Sequence, residues 1–334
     1  MRAAVFFIIM MLGLGFSACG SAKRVEVAQK KVPSWYAHPP HSTESELYGV
    51  GEGKSKREAI DNALSLIAST LSVSISSSYS AKTVVKEGRV NSSDATYVNQ
   101  TQSDVKKIRI TNYRLLNAAE LGFKRFAVLV TVNKEELFRG LKNELEQQFL
   151  DISQNEKSIK NENPLAQLAF YKKSLQSLNN LQNTLSVMKV LHEKTDINFY
   201  LQKRHRLEQK YHALLSKITF YIKADKEAKR FVSAVETGIT KQKFSLKKSR
   251  DMYHFTVFMQ AKIKKAQSYG FSIARSEINF VTKDYRGRVV GRNLLHIDGQ
   301  SSQGYAIALQ DLVKKLNLQI EQEGIFKILN LNIY

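Results

Sequence analysis

Apolar positions in the first part of the chain change their spacing twice. Leu47–Gly53 reads as a short strand that runs into a glycine turn. Ser55 and Glu58 then form a capping box, in which the two side chains satisfy free amides at the start of a helix. Its predicted apolar face recurs at three- and four-residue steps, at Ala59, Ile60, Ala63, Leu64, Ile67 and Leu71. From Val73 to Tyr79 the period becomes two, which predicts a half-buried strand.

Two further strands and a helix are predicted before residue 150. The polar stretch Lys82–Ser103 is interpreted as a long hairpin loop. Val105–Leu116 and Phe123–Val132 are predicted strands that turn near Gly122. Asn133 then provides a cap for a helix that runs toward Phe149. This order of elements predicts an α+β unit with a largely antiparallel sheet.

Between Pro164 and Ile218 the apolar spacing is helical throughout. It breaks only at Lys194–Asp196, so we predict a helical hairpin with coiled-coil-like packing. Two interpretations of its remaining aromatic and basic residues stay open: they form a face for a protein partner, or they pack internally. These residues are Phe170, Phe199, Tyr200, Lys203, Arg204 and Arg206.

The last third repeats the order of the first. Ile218–Ile222 begins a strand, and Asp225 can cap the helix that follows. A long strand at 253–263 and a hairpin at 272–296 come next, then a helix from about Ser302 that ends at Gly324. The residues after Gly324 are predicted to return as an edge strand. The fold class is therefore α+β: two α+β units with antiparallel sheets, at 33–150 and 217–334, joined by a long helical hairpin at 151–216.

The amino-terminal residues have the zones of a secretory signal. Arg2 precedes an uncharged run to Phe16, which is too short to span a bilayer. Phe16-Ser17-Ala18-Cys19 looks like a bacterial lipobox, which implies a signal peptide at 1–18, cleavage before Cys19, and palmitate or a similar acyl chain on this residue. Residues 19–32 would then form a flexible tether. An ordinary signal peptide with a chance cysteine is the alternative.

Charge and cysteine content narrow the classes of partner. The chain of 334 residues has 51 Lys and Arg against 30 Asp and Glu, a net charge of +21, and Cys19 is its only cysteine. An acylated Cys19 would leave no thiol for disulfides or metal binding. In a cell envelope such a charge suits anionic lipid or acidic envelope polymers rather than nucleic acid, although solvated faces are the simpler interpretation.

Three motifs invite a catalytic or ligand-binding interpretation, and each is incomplete. Gly49-Val50-Gly51-Glu52-Gly53 has its third glycine one place early for a dinucleotide fingerprint. His38 and His41 supply at most two metal ligands. The third motif places triad residue types close together without a nucleophile elbow, at His296, Asp298, Ser301 and Ser302. We therefore expect no catalytic, cofactor or metal site, and a protein that is not an enzyme.

An aromatic group precedes the first unit. Trp35, Tyr36 and Tyr48 could form a binding platform, but the single tryptophan is better explained as packing over the first sheet.

Several of these segments together resemble the lipoprotein-20 family of bacterial outer-membrane lipoproteins. They are Pro33-Ser34-Trp35, Tyr48-Gly49-Val50-Gly51, the alanine-bearing helix that leads into Val73-Ser74-Ile75-Ser76, and the strand Phe126–Val132. The resemblance covers residues 33–140. It implies a non-enzymatic envelope domain. Because no acidic run of the kind that exports some lipoproteins follows Cys19, we expect an outer-membrane lipoprotein that faces the periplasm and acts as a structural or protein-interaction module. A periplasmic ligand-binding protein or enzyme, and a subunit of an oligomeric envelope or secretion assembly, are the alternatives.

Overall fold

The computed structural model describes residues 32–86 and 110–333, with the side chains of 76–86 excepted. The predicted signal peptide, Cys19 and almost all of the predicted tether lie outside these residues. So do most of the predicted loop at 82–103 and the start of the predicted strand at 105–116.

The first unit is a three-stranded antiparallel sheet with a long helix on one face. Its strands lie in the order β1-β3-β2. Its elements are α1 (Ser34–Ala37), β1 (Glu46–Gly53), α2 (Lys56–Lys86), β2 (Arg114–Gly122) and β3 (Arg125–Asn133). The capping box is present in part: the amide of Glu58 donates to Ser55 Oγ at 3.2 Å, and the Glu58 carboxylate accepts from the amide of Lys54 at 2.7 Å.

The glycine motif of β1 lets the strand and α2 approach closely. A Cβ placed at Gly51 would lie 2.0 Å from the carbonyl oxygen of Ala59 and 2.3 Å from the amide nitrogen of Ala63. Gly49 is equally crowded, since its Cβ would meet the carbonyl oxygen of Ala63 at 2.3 Å. Glycine in the strand and alanine in the helix therefore form one packing device.

The predicted strand at 73–79 is wrong, because α2 continues through it. Leu71, Ser72 and Ile75 are buried at the same helical spacing as Ile67 before them, while Val73 is exposed. The hydroxyl of Ser74 donates to the carbonyl of Thr70 one turn back, a bond that serines form readily inside a helix. The serines at alternate positions suggested the polar face of a strand, because the segment was assigned from its polarity alone. Among the described residues of this unit, the sheet consequently has three strands rather than four.

Four helices follow the first sheet. They are α3 (Lys134–Ile159), α4 (Pro164–Ser177), α5 (Leu181–Leu191) and α6 (Asn198–Lys217). Asn133 caps α3 as predicted, accepting from the amide of Glu136 at 3.0 Å. The prediction of a two-helix hairpin is wrong in its first arm, which consists of two helices. The break lies where Leu178 leaves helical geometry, before Asn179 and Asn180.

This helical segment belongs to the cores of both sheets. Leu165, Leu168, Leu214 and Leu215 pack with the second sheet. The residues that pack with the first are Leu178, Leu181, Leu185, Val187, Met188, Tyr200 and Leu207. The helices of the segment therefore pack against both sheets and do not project as a separate arm.

The second unit is a five-stranded sheet in the order β5-β4-β6-β7-β8. Strands β6, β7 and β8 are antiparallel, whereas β4 is parallel to both of its neighbours, so the sheet is mixed rather than purely antiparallel. The elements are β4 (Thr219–Ala224), α7 (Val232–Lys241), β5 (Ser245–Leu246), β6 (His254–Ser268), β7 (Phe271–Asp284), β8 (Val289–Ser301), α8 (Tyr305–Glu323) and α9 (Ile325–Ile328).

The chain end differs from the prediction. Helix α8 begins at Tyr305, not at Ser302, and stops before Gly324 as expected. The predicted edge strand is a short helix, α9, followed by a tail whose Leu329, Leu331 and Ile333 are buried. These residues cover the apolar face of the sheet instead of extending its edge.

Candidate functional site

The two faces of the second sheet differ in kind. One face is apolar and covered by helices, and it carries Phe255, Val257 and Met259 in alternate positions of β6. The residues between them point the other way, to a face that we call the open face. Leu294 on this face is 53% exposed and Tyr221 is 39% exposed, which shows that solvent reaches it.

Cations dominate the open face. Strand register places Lys223, Phe258, Val281 and Arg292 in one cross-strand row, and Lys264, Arg275 and Asp298 in another. The cations of the face are Lys223, Lys262, Lys264, Arg275, Lys283 and Arg292, and its carboxylates are Glu277 and Asp298, with Asp225 beside them at the end of β4. Asp298 contacts Arg275, with 3.6 Å between Oδ2 and Nε.

A hollow of about 560 Å³ lies around Phe258. The ammonium nitrogens of Lys223 and Lys283 stand 5.8 Å and 5.2 Å from the centroid of the Phe258 ring. Tyr221 and Tyr285 line the same hollow. Two cations held over one ring are favoured by its quadrupole, yet they also repel each other.

A second hollow of about 850 Å³ follows along the same strands. Its lining includes the amide side chains of Gln260 and Asn279, together with Lys262, Glu277 and Arg292. Gln260 is two residues after Phe258 on β6, so the two hollows are neighbours on one face. The open face thus offers cations, aromatic rings and amides side by side.

Asp284 fixes the turn that closes the first hollow. Its carboxylate side chain is 1% exposed, and it accepts from the amides of Arg286 and Arg288 and from Nε of Arg288, at 2.8–2.9 Å. Burial alone would raise the pKa of Asp284, but these hydrogen bonds outweigh it and leave the pKa below its ordinary value. The turn therefore holds Tyr285 and Gly287 against the hollow.

His254 lies beneath the same end of the face and is 5% exposed. One ring nitrogen is 3.0 Å from the hydroxyl of Thr219, and the other is 3.4 Å from that of Thr256. Burial lowers the pKa of His254, and the charge of Asp251 opposes this only in part. The imidazole is therefore neutral at neutral pH.

We expect this burial to make stability depend on pH. The unfolded state binds the proton at an ordinary pKa of about 6.5, above the folded pKa, so stability is complete above pH 6.5 and falls at lower pH. The slope approaches about 1.4 kcal/mol per pH unit for one proton. Urea unfolding at pH 7.5 and 5.5 should show a smaller pH loss for His254→Gln than for the wild type. His296→Gln, at an exposed position of β8, should retain the wild-type loss; equal losses in all three proteins would contradict the prediction.

The residues singled out in the sequence have other roles in the structure. Gly49, Gly51 and Gly53 face α2, as described above. His296 and Asp298 lie on the open face, whereas Ser301 Oγ accepts from the amide of Gln303. His38 and His41 are exposed. Within 32–86 and 110–333, no group of three or more metal-ligating side chains comes together.

The aromatic residues singled out in the first two-thirds of the chain differ in how far they are buried. Tyr36 donates to Glu52 at 2.6 Å, and Trp35 is half-buried with its ring edge-on to Tyr36, so the tryptophan is not a core residue. Tyr200 is buried and stacks on Phe149, but Phe199 is 51% exposed beneath the ammonium of Lys203. Internal packing is therefore correct for Tyr200 and incorrect for Phe199.

Comparison with known families places the first unit. The model of the LPP20 lipoprotein family matches residues 33–133. The first unit is therefore similar to the LPP20 lipoprotein family. The match confirms the resemblance seen in the sequence, and it ends at Asn133, before α3. The helical segment and the second unit, with the open face, lie beyond the matched LPP20 residues.

Two solved structures are similar to this chain at low identity. The secreted protein HP1454 of Helicobacter pylori is 13% identical, with a TM-score of 0.47, over 84% of this chain and 98% of that one. A minor lipoprotein of Acinetobacter baumannii is 12% identical, with a TM-score of 0.30, over 34% of this chain and 96% of that one. No curated protein matches the chain. In the described residues, no helix is both long and apolar enough to cross a membrane.

The open face was missed in the sequence, although a signal for it was present. Strand β6 was predicted from its apolar alternate positions and β7 as one arm of a hairpin, while the basic residues of the chain were interpreted as solvated. Those positions carry Lys262 and Lys264 in one strand and Arg275 and Lys283 in the next. Because adjacent strands bring such positions together, a cationic second face could have been predicted from the hairpin alone.

Proposed function

We propose that this protein is a lipid-anchored lipoprotein of the outer membrane that faces the periplasm and serves as a non-enzymatic interaction module. The observation that carries the proposal is the lipobox-like Phe16-Ser17-Ala18-Cys19 in a chain whose residues 33–133 match a lipoprotein family. Acyl chains on Cys19 would give stable anchoring, because each buried methylene adds about 0.8 kcal/mol.

The geometry supports binding rather than catalysis. The hollows of the open face lie side by side on a solvent-exposed sheet surface, an arrangement that suits an extended partner. A surface with many cations also fits a large acidic partner in the envelope better than a small substrate. The module would thus be held at the membrane by its lipid and would bind its partner through a folded face.

Replacement of the cysteine tests the anchor. Wild-type protein should incorporate labelled palmitate and fractionate with outer membranes on a density gradient. Cys19→Ser should incorporate no label and should leave the membrane or remain uncleaved, because it lacks the thiol that carries the lipid. Ser21→Ala, two residues further on, should behave as the wild type. Labelled fatty acid on Cys19→Ser would refute the proposal.

The orientation requires a separate measurement. Protease added to intact cells should leave the protein uncut, and permeabilising the outer membrane should expose it. Degradation in intact cells would place it on the cell surface and contradict the periplasmic part of the proposal.

A further inference from the structure

We propose that the open face of the second sheet binds a linear, carboxylate-bearing polysaccharide of the cell wall, laid along β6, β7 and β8. The choice of a cell-wall polymer rests on the proposed function, which puts the protein in the periplasm. The choice of an anionic glycan rests on the charges, rings and amides of the face itself.

The arrangement of cations favours an anionic partner. Lys264 lies directly opposite Arg275 in the β6–β7 register, and like charges in that position destabilise a sheet. Lys223 and Lys283 converge on the same ring in the same way. Nearby carboxylates compensate only in part, since Asp298 contacts Arg275 alone among these four cations. A bound polyanion would remove this repulsion between cations. Binding would therefore account for a set of like charges that lowers stability and that the fold itself does not need.

The rings and amides distinguish a glycan from other anions. Sugar rings present C–H groups that pack on aromatic side chains, and Phe258, Tyr221 and Tyr285 line one hollow. Gln260 and Asn279 in the adjacent hollow can bind hydroxyl and N-acetyl groups, as each amide both donates and accepts. A protein partner fits less well, because lysine is depleted at the centre of protein interfaces.

The length of the face favours a polymer over a monomer. From Thr256 to Lys264 the face extends over eight residue steps of β6, about 27 Å at the rise of a strand. That length accommodates several sugar units in a row, whereas a single small ligand would occupy only one of the two hollows.

Co-sedimentation tests the proposal with the full-length protein in detergent. Protein-free cell-wall sacculi are the probe, and bound protein is measured in the pellet over a range of sacculus concentrations. The test variants are Lys223→Glu with Lys283→Glu, and Phe258→Ala. Lys157→Glu with Lys160→Glu is the matched control, because both lysines are exposed at the end of α3 and its change in net charge is the same.

We expect wild-type protein and control to sediment with sacculi. Each test variant should bind at least about tenfold more weakly, and a tenfold loss corresponds to about 1.4 kcal/mol. Binding should also fall as salt rises. Far-ultraviolet circular dichroism should show that each variant is folded, since the altered side chains lie on the face of the sheet opposite its core.

Three results would overturn the proposal: no sedimentation of the wild type, equal loss in the control, or unchanged binding in both test variants. Vesicles with anionic lipid provide a further comparison. If the test variants lose vesicle binding but keep sacculus binding, the face is a lipid site and the proposal is wrong. The experiment needs no acylation, so a failure here leaves the Cys19 result untouched, and a failure of acylation leaves this result interpretable.

Discussion

Gly51→Ala is expected to destabilise the first unit by about 3 kcal/mol or more, at or beyond the upper end of ordinary overpacking costs. The new methyl group would lie 2.0 Å from the carbonyl oxygen of Ala59 and 2.9 Å from Cα of Ala63. Both atoms belong to the backbone of α2, so no side chain can rotate away and the whole helix must shift. Because domains have only about 5–15 kcal/mol of stability, the substitution should be visible as a large drop in the urea midpoint.

Gly122→Ala provides the control for that prediction. A Cβ at Gly122 meets nothing within 4 Å, and the residue closes β2 in the same sheet. We expect its urea midpoint to stay close to that of the wild type. Equal midpoints for Gly51→Ala and Gly122→Ala would show that the strand and helix do not pack as closely as the structure has them.

Most of the elements could be predicted because each has a local cause. The helix after Asn133 begins where an asparagine can cap it, and β7 and β8 turn where Tyr285-Arg286-Gly287 interrupts their alternation. The strand at 73–79 could not be rejected in the same way. Its helical form depends on Leu71 and Ile75 packing into a core that forms only with distant segments.

The same reason explains the chain end and the parallel strand. The apolar tail after Gly324 is equally consistent with an edge strand, and only the space over the second sheet selects a helix and a buried tail. Strand β4 pairs directly with β6, although α7 lies between them in the sequence. The periodicity of apolar residues carries no information about the direction of strand pairing. Local patterns thus predicted the type of most elements, while their partners were decided by tertiary packing.

The candidate site was less predictable than the fold. Motif searches look for residues close in sequence, but the open face joins Lys223, Phe258 and Lys283, which come from three strands. The triad-like residues at 296–302 were conspicuous because they are adjacent in sequence. In the structure these residues have different contacts. Asp298 contacts Arg275 on the open face.

The second large effect is expected for Asp284→Ala, which should cost about 2–4 kcal/mol. The substitution removes the acceptor of two backbone amides and of the Arg288 guanidinium, all grouped around a carboxylate that is 1% exposed. The turn at Tyr285 should loosen, and the hollow around Phe258 should lose one wall. Urea unfolding at pH 7 measures the loss. Asp298→Ala, which removes a 58% exposed carboxylate from the same sheet, should change the free energy of unfolding by less than about 1 kcal/mol.

The pH dependence of that difference checks its cause. The folded pKa of Asp284 lies below its ordinary value, so the carboxylate contributes stability above the unfolded pKa of about 3.9 and loses it as pH falls through the folded pKa. The gap between the wild type and Asp284→Ala should therefore be constant from pH 7 to about pH 5 and should narrow below pH 4. A gap that stays constant down to pH 2.5 would mean that Asp284 acts through packing alone. In that case the charge-assisted hydrogen bonds to Arg288 would not be what orders the turn beside the open face.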